Sequence, residues 1–245
     1  MKFLLTNDDG IEAPGMDALV NCVSKIASPH DQVVVVAPDR QRSECGHSVT
    51  QGRPLKIQQV KEHWFSVDGT PVDCVRVGLN HLAKDADVVI SGVNQGANLG
   101  VDVMVSGTIA AAREASLHLP IAIAISHYRH PGIPKTWDHV PEWTEGILRR
   151  IIGGMNNKGR VWNINLPAID PGTLASGQIP PIAHCGVDMN PHQRTPQIGA
   201  DGITLQSNFQ NRPRDAGSDV DLCFGGAITI TELNTNASHH ESASG

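Results

Sequence analysis

Residues 3–166 alternate short apolar runs with segments of helical periodicity, and no other feature restricts the fold as much. Phe3-Leu4-Leu5-Thr6, Gln32 to Ala37, Asp87 to Ile90, Pro120 to Ser126 and about 160–166 read as strands. Val33 to Val36 are four consecutive valines, which leaves no polar face. Such a strand is covered on both sides, as in parallel sheets. Met16, Leu19, Val20, Val23 and Ile26 recur at helical spacing over roughly 14–27, with Pro14 in the first turn. Thr70 before Pro71 is a helix start, followed by periodic Val72, Val75, Leu79 and Leu82. Further helices are predicted at 108–119 and about 141–152, and a weaker β stretch at about 54–68. Strand-helix-strand alternation means right-handed crossovers and an α/β fold with a doubly wound, mostly parallel sheet.

Past about 167 the alternation fades. Pro and Gly become frequent, which predicts short hairpins over 168–218, a hairpin or oligomerisation arm rather than a second alternating unit. Ala227 to Leu233 reads as a final strand and 234–245 as a frayed tail, with 1–245 as one domain.

Composition narrows the function classes. A net charge of −6 opposes binding to a nucleic acid polymer. Aromatics at 4 % are too few for a base-stacking single-strand binder. No apolar run reaches the length of a membrane span, and the apolar stretch after Met1-Lys2 is too short for a signal-peptide core. Cys22, Cys45, Cys74, Cys185 and Cys223 are odd in number and widely spaced, which reads as a reduced, cytoplasmic chain without a zinc cluster. Cys22 and Cys74 fall in helical patterns and read as small core residues.

Ligands of open α/β sheets bind beyond the carboxyl ends of the strands. The first strand here ends at Asn7-Asp8-Asp9, the second at Asp39 with Ser43 shortly after, and the third at Ser91-Gly92-Val93-Asn94 with Asn98 one turn on. Two adjacent carboxylates repel unless a cation or donor lies between them. Oxygen donors from Asp, Ser and Asn suit a hard cation such as Mg²⁺ or Mn²⁺. The dipeptide alone also fits an ordinary turn, with one Asp as a cap; the other polar strand ends shift the balance toward a metal. Ser106-Gly107-Thr108 opens an Ala-rich helix whose N-terminal amides and dipole favour an anion, although Ser106 or Thr108 also fits as a plain cap. His47 is a candidate proton shuttle or a solvated loop residue, and Arg40 and Arg42 are candidate anion attractors or solvated charges. Asp85-Ala86-Asp87 precedes its strand and lies at the wrong edge; Asp219-Val220-Asp221 is left between a structural and a ligand role. Dinucleotide, Walker and esterase-elbow motifs do not occur.

Several of these segments together resemble the SurE family, survival proteins with 5′/3′-nucleotidase activity. The matches are Leu4 to Gly10 with Ala13-Pro14-Gly15, Val36 to Arg40 with Arg42-Ser43 and His47-Ser48, and Gly69-Thr70-Pro71 with Asp73-Cys74-Val75. Ser91 to Asn94 with Gly96-Ala97-Asn98, then Ser106-Gly107-Thr108 with Ala111-Ala112, complete them in the family's order across 3–126. Ile228 to Leu233 is similar to the family's closing strand. The resemblance implies a Rossmann-like α/β fold with an extended β-hairpin or C-terminal arm, in a homodimer or homotetramer. It implies one divalent ion per subunit, Mg²⁺ or Mn²⁺, held by Asp8, Asp9, Ser43 and Asn94. Asp8 and Asp9 are then the catalytic carboxylates, and Asn98, Ser106, Gly107 and Thr108 the phosphate-binding residues. Two places depart from the pattern: Val105 stands where the family often has an aromatic, and 168–218 carries its own Asn208-Phe209-Gln210 and Arg212-Pro213-Arg214.

The resulting expectation is a metal-dependent phosphomonoesterase that hydrolyses nucleoside 5′- and 3′-monophosphates to nucleoside and phosphate. A phosphatase for other esters or short polyphosphate, and a non-catalytic nucleotide-binding module, are the alternatives.

Overall fold

Successive residues of a strand face opposite sides, so a strand buried on both faces must be apolar throughout. In β1 (Lys2–Thr6), Phe3 and Leu5 join one buried cluster and Leu4 the other. The valine run of β2 (Gln32–Pro38) divides the same way, with Val35 and Ala37 on the first face and Val34 and Val36 on the second. α1 (Pro14–Ile26) covers the first face with Met16, Leu19 and Val23. Burying each such side chain contributes roughly 1.5–3 kcal/mol. These features come from a computed structural model that describes residues 1–43, 45–156 and 158–235.

The weak β stretch forms two antiparallel strands, β3 (Ile57–Lys61) and β4 (Trp64–Val67), because the chain turns at His63 with φ 57°. α2 (Pro71–Val77) starts on a reciprocal cap. The Thr70 hydroxyl accepts from Asp73 N at 3.1 Å and the Asp73 carboxylate accepts from Thr70 N at 2.9 Å. A π-helical turn, Gly78–Leu82, extends it.

β5 (Val88–Gln95) is longer than the sequence indicates. Its register shifts between Ser91 and Asn94, and pairing then resumes against Ser126 and His127. Asn94 is therefore held by sheet backbone and not by the free loop expected from Ser91 onward. α3 (Gly107–His118), β6 (Ile121–His127), α4 (Val140–Gly153) and β7 (Arg160–Leu166) follow close to expectation. β8 (Ile182–His184), the hairpin β9 (Arg194–Gly199) and β10 (Gly202–Ser207), α5 (Asp219–Phe224) and β11 (Ile228–Asn234) complete the described chain.

The main sheet has the order β3-β4-β2-β1-β5-β6-β7-β11-β8. From β4 to β7 every neighbouring pair is parallel, while β3 and β11 pair antiparallel with β4 and β7. α1 and α4 pack on one face, α2 and α3 on the other. This is a doubly wound, mostly parallel α/β sheet with an added β-hairpin. Strand pairing runs through Asn234, and residues 236–245 of the expected tail lie outside the described residues. Among the described residues no helix is long and apolar enough to cross a membrane.

Candidate active site

β1 pairs with β2 on one side and β5 on the other, so strand order reverses at β1 and a crevice opens beyond the carboxyl ends of β1 and β5. A cavity of about 270 Å³ lies there. Asp8, Asp9, Ser43, Asn94, Asn98, Ser106 and Gly107 all line it. Thr108 is not among the lining residues: its hydroxyl donates to Asp8 Oδ1 at 2.5 Å, while its backbone amide lies in the first turn of the helix that opens at Ser106. A larger hollow of about 520 Å³ lies between α1 and the approach to α4, but it holds none of the strand-end set.

Local chemistry fixes each group. Asn7 bridges the turn after β1, donating to Gly10 O at 2.8 Å and accepting from Gly10 N at 3.1 Å. Asp9 accepts from Gln95 N at 3.0 Å, which ties the end of β1 to the end of β5. The Gln41 amide donates to Ser43 Oγ at 2.9 Å. Asn94 donates its amide to Gly96 O at 3.0 Å, which leaves Oδ1 as an acceptor. Asn98 is 7 % exposed and held on all sides: its N–H donates to Asn165 Oδ1, its amide donates to Ser126 Oγ, and its carbonyl accepts from Asn163 and Asn165.

α3 begins at the cavity. Ser106 Oγ caps it by accepting from Ile109 N at 3.1 Å, and its own O–H remains a donor. The next amides, Gly107 and Thr108, belong to the first turn, which has no intrahelical acceptor for them. Gly107 suits the close approach of α3 to β1: an added Cβ would stand 3.0 Å from Asp8 Cβ and 3.1 Å from Asp8 Oδ2 and would press on that carboxylate. Burial raises the Asp8 carboxyl to about 6 and the Asp9 charge adds to this, against the Thr108 hydroxyl, which lowers it.

The residues fit a hard divalent cation. The donors are two carboxylates, a hydroxyl and an amide, all oxygen, which suits Mg²⁺ or Mn²⁺. Among the described residues no group of three or more His, Cys, Asp or Glu side chains forms a softer metal site.

Other candidates fall elsewhere. Asp39 pairs with Arg42 at 2.8 Å and Arg40 at 3.3 Å, so carboxylate and guanidinium groups satisfy each other away from the cavity. His47 Nε2 lies 3.0 Å from Glu114, which Arg76 also holds at 2.7 Å. Asp87 and Asp85 meet Lys2 at the opposite edge. Asp219 is fully buried and accepts backbone N–H bonds from Gly100, Asp188 and Val220, a structural pin. Cys22 and Cys74 are buried. Sequence reasoning missed Gln41, Gln95, Asp102 and Phe209, which also line the cavity.

A family model described as survival protein SurE matches residues 3–187. A putative 5′-nucleotidase of Nostoc sp. (strain PCC 7120) is 39 % identical over 95 % of this chain and 99 % of that protein. A 5′-nucleotidase SurE of Anaeromyxobacter sp. (strain Fw109-5) is 41 % identical over 98 % of this chain and 92 % of its own length. The crystal structure of the SurE protein from Aquifex aeolicus superimposes with a TM-score of 0.81 at 28 % identity, covering 98 % of this chain and 95 % of that one.

Proposed function

This chain belongs to the survival protein SurE family, and from that premise we propose that it is a nucleotidase. It hydrolyses nucleoside 5′- and 3′-monophosphates to nucleoside and phosphate with one Mg²⁺ or Mn²⁺ per subunit. The observation that carries the reading is the meeting of the Asp8-Asp9 pair with the N-terminus of α3 in one cavity.

In this reading Asp8, Asp9, Ser43 and Asn94 hold the cation. When bound, the ion supplies Lewis-acid polarisation of a phosphoryl oxygen and a lowered pKa for water. Thr108 fixes the Asp8 carboxylate through its hydroxyl. The Gly107 and Thr108 amides, the Ser106 hydroxyl and the Asn98 amide bind the phosphoryl oxygens and stabilise charge that develops on them. Asn163, Asn165 and Ser126 position Asn98 for that task.

The test is phosphate release by chelator-treated protein from 5′- and 3′-nucleoside monophosphates. Release is expected only when Mg²⁺ or Mn²⁺ is restored. Metal-assisted nucleotide binding with no release would overturn the enzyme assignment in favour of a binding module.

The hairpin β9–β10 supports a homo-oligomer. Ile198, Ile203 and Leu205 on it are 82 %, 65 % and 56 % exposed, a patch suited to a second copy. Size-exclusion chromatography with light scattering is expected to give a dimer or tetramer; a strict monomer sinks this assignment. The free cysteines support a reducing compartment, the cytoplasm.

A further inference from the structure

The Asp9 end of the cavity continues into a hollow lined by Gln41, Gln95 and Trp137, whereas Asp102 and Phe209 belong to the phosphate cavity alone. Asp102 lies in the 3-10 turn Gly100–Met104, just ahead of the Ser106 cap. The segment after β7 clamps its carboxylate from both sides: His192 Nε2 lies 2.6 Å from Oδ1 and Arg212 Nη1 donates to Oδ2 at 2.6 Å. Arg212 is 4 % exposed, and its guanidinium lies 5.3 Å from the Phe209 ring centroid. Phe209 in turn packs on Tyr128 and Phe224 at 5.9 and 5.6 Å.

The Arg212 guanidinium offsets the charge of this carboxylate, but its oxygens remain acceptors and offer a phosphoryl oxygen no donor. Beside a phosphate site it therefore favours an ester whose leaving group carries hydroxyl donors. Carboxylate oxygens have more lone pairs than the two donors use, and the Asp102 side chain remains 22 % exposed. The Phe209 ring adds an apolar aromatic wall next to that acceptor, which suits a base attached to a sugar.

We propose that Asp102 and Phe209 form the nucleoside subsite, with the Asp102 carboxylate accepting a ribose hydroxyl and the Phe209 ring packing against the base. The inference rests on the nucleotidase reading and narrows its substrate to ribonucleotides over sugar phosphates.

The experiment compares kcat/KM of the metal-loaded protein for AMP, 2′-deoxy-AMP, 3′-deoxy-AMP and ribose 5-phosphate. AMP is expected to exceed ribose 5-phosphate and one of the two deoxy analogues by about tenfold, mainly in KM. Phe209→Ala is expected to collapse the AMP to ribose 5-phosphate ratio, and Asp102→Asn the ratio of AMP to that deoxy analogue. Asp102→Asn weakens the partner of a buried arginine, so if it does not fold, the analogue series on the unmodified protein still decides the hydroxyl contact. Equal kcat/KM for AMP, both analogues and ribose 5-phosphate would overturn the subsite and leave a phosphatase. Hydrolysis of none of the esters would overturn the nucleotidase reading itself.

Discussion

Asp8→Asn is expected to lower metal-dependent phosphate release on the order of a thousandfold, about 4 kcal/mol of transition-state stabilisation. The change is nearly isosteric. The introduced amide oxygen still accepts from the Thr108 hydroxyl, so the buried partner of that hydroxyl is kept. What is lost is one of two adjacent negative charges at the end of β1, the half that is buried against Gly107. A neutral amide is a poor ligand for a hard cation beside three remaining oxygen donors. The same loss relieves repulsion between neighbouring like charges, so the metal-free variant is expected to unfold at no lower urea concentration than the parent protein. The two effects have opposite signs, which separates a site residue from a structural one. Mn²⁺ is expected to raise the unfolding temperature of the parent protein and not that of the variant. Undiminished turnover, or a metal-free variant that is clearly less stable, would remove Asp8 from the proposed centre.

What the sequence discloses follows from where its information is local. Strands buried on both faces cannot hide, since Leu4 must be as apolar as Phe3 and Leu5. A strand end that carries Asp8-Asp9 is equally visible, because a sheet has only one edge where ligands collect. Groups that act through distant partners are not visible. Asn163 and Asn165 look like polar residues in the final parallel strand; their service to Asn98 needs β6 and β7 aligned. Phe209 and Arg212 stand out as unusual residues after a hairpin, but only the folded chain returns them to Asp102. Asp39 has the sequence context of a ligand and is taken instead by Arg40 and Arg42, a competition decided by side-chain reach. The helix start at Ser106 admits either a cap or an anion site, and the two coexist: the oxygen caps while the O–H and the next amides stay available.

Acid is expected to destabilise the fold above the range where solvent-exposed carboxylates protonate, through the pair His127 and His139. Their Nε2 atoms are 2.8 Å apart, and the residues are 2 % and 9 % exposed. His127 Nδ1 faces the Tyr128 carbonyl at 3.0 Å and must donate to it, so its Nε2 is an acceptor. His139 Nε2 then donates, and its Nδ1 accepts from the Thr136 hydroxyl at 3.3 Å. Each proton has one place, and a further proton on His127 would set two N–H groups against each other. Burial, then the Arg129 charge, lowers His127 to about 3 and His139 to about 4. Unfolded histidines titrate near 6.5. As pH falls below 6.5, the unfolded chain gains two protons that the folded chain refuses until about 4 and 3. Stability is therefore lost as pH falls, by up to about 2.7 kcal/mol per pH unit, or roughly 3 kcal/mol between 6.5 and 5. That is a large share of the roughly 5–15 kcal/mol typical of a domain. Urea unfolding at pH 7 and pH 5 is expected to show this drop, and a His127→Gln, His139→Gln double variant most of its removal. Equal pH slopes in the parent and the double variant would show that the pair is not the acid-sensitive element.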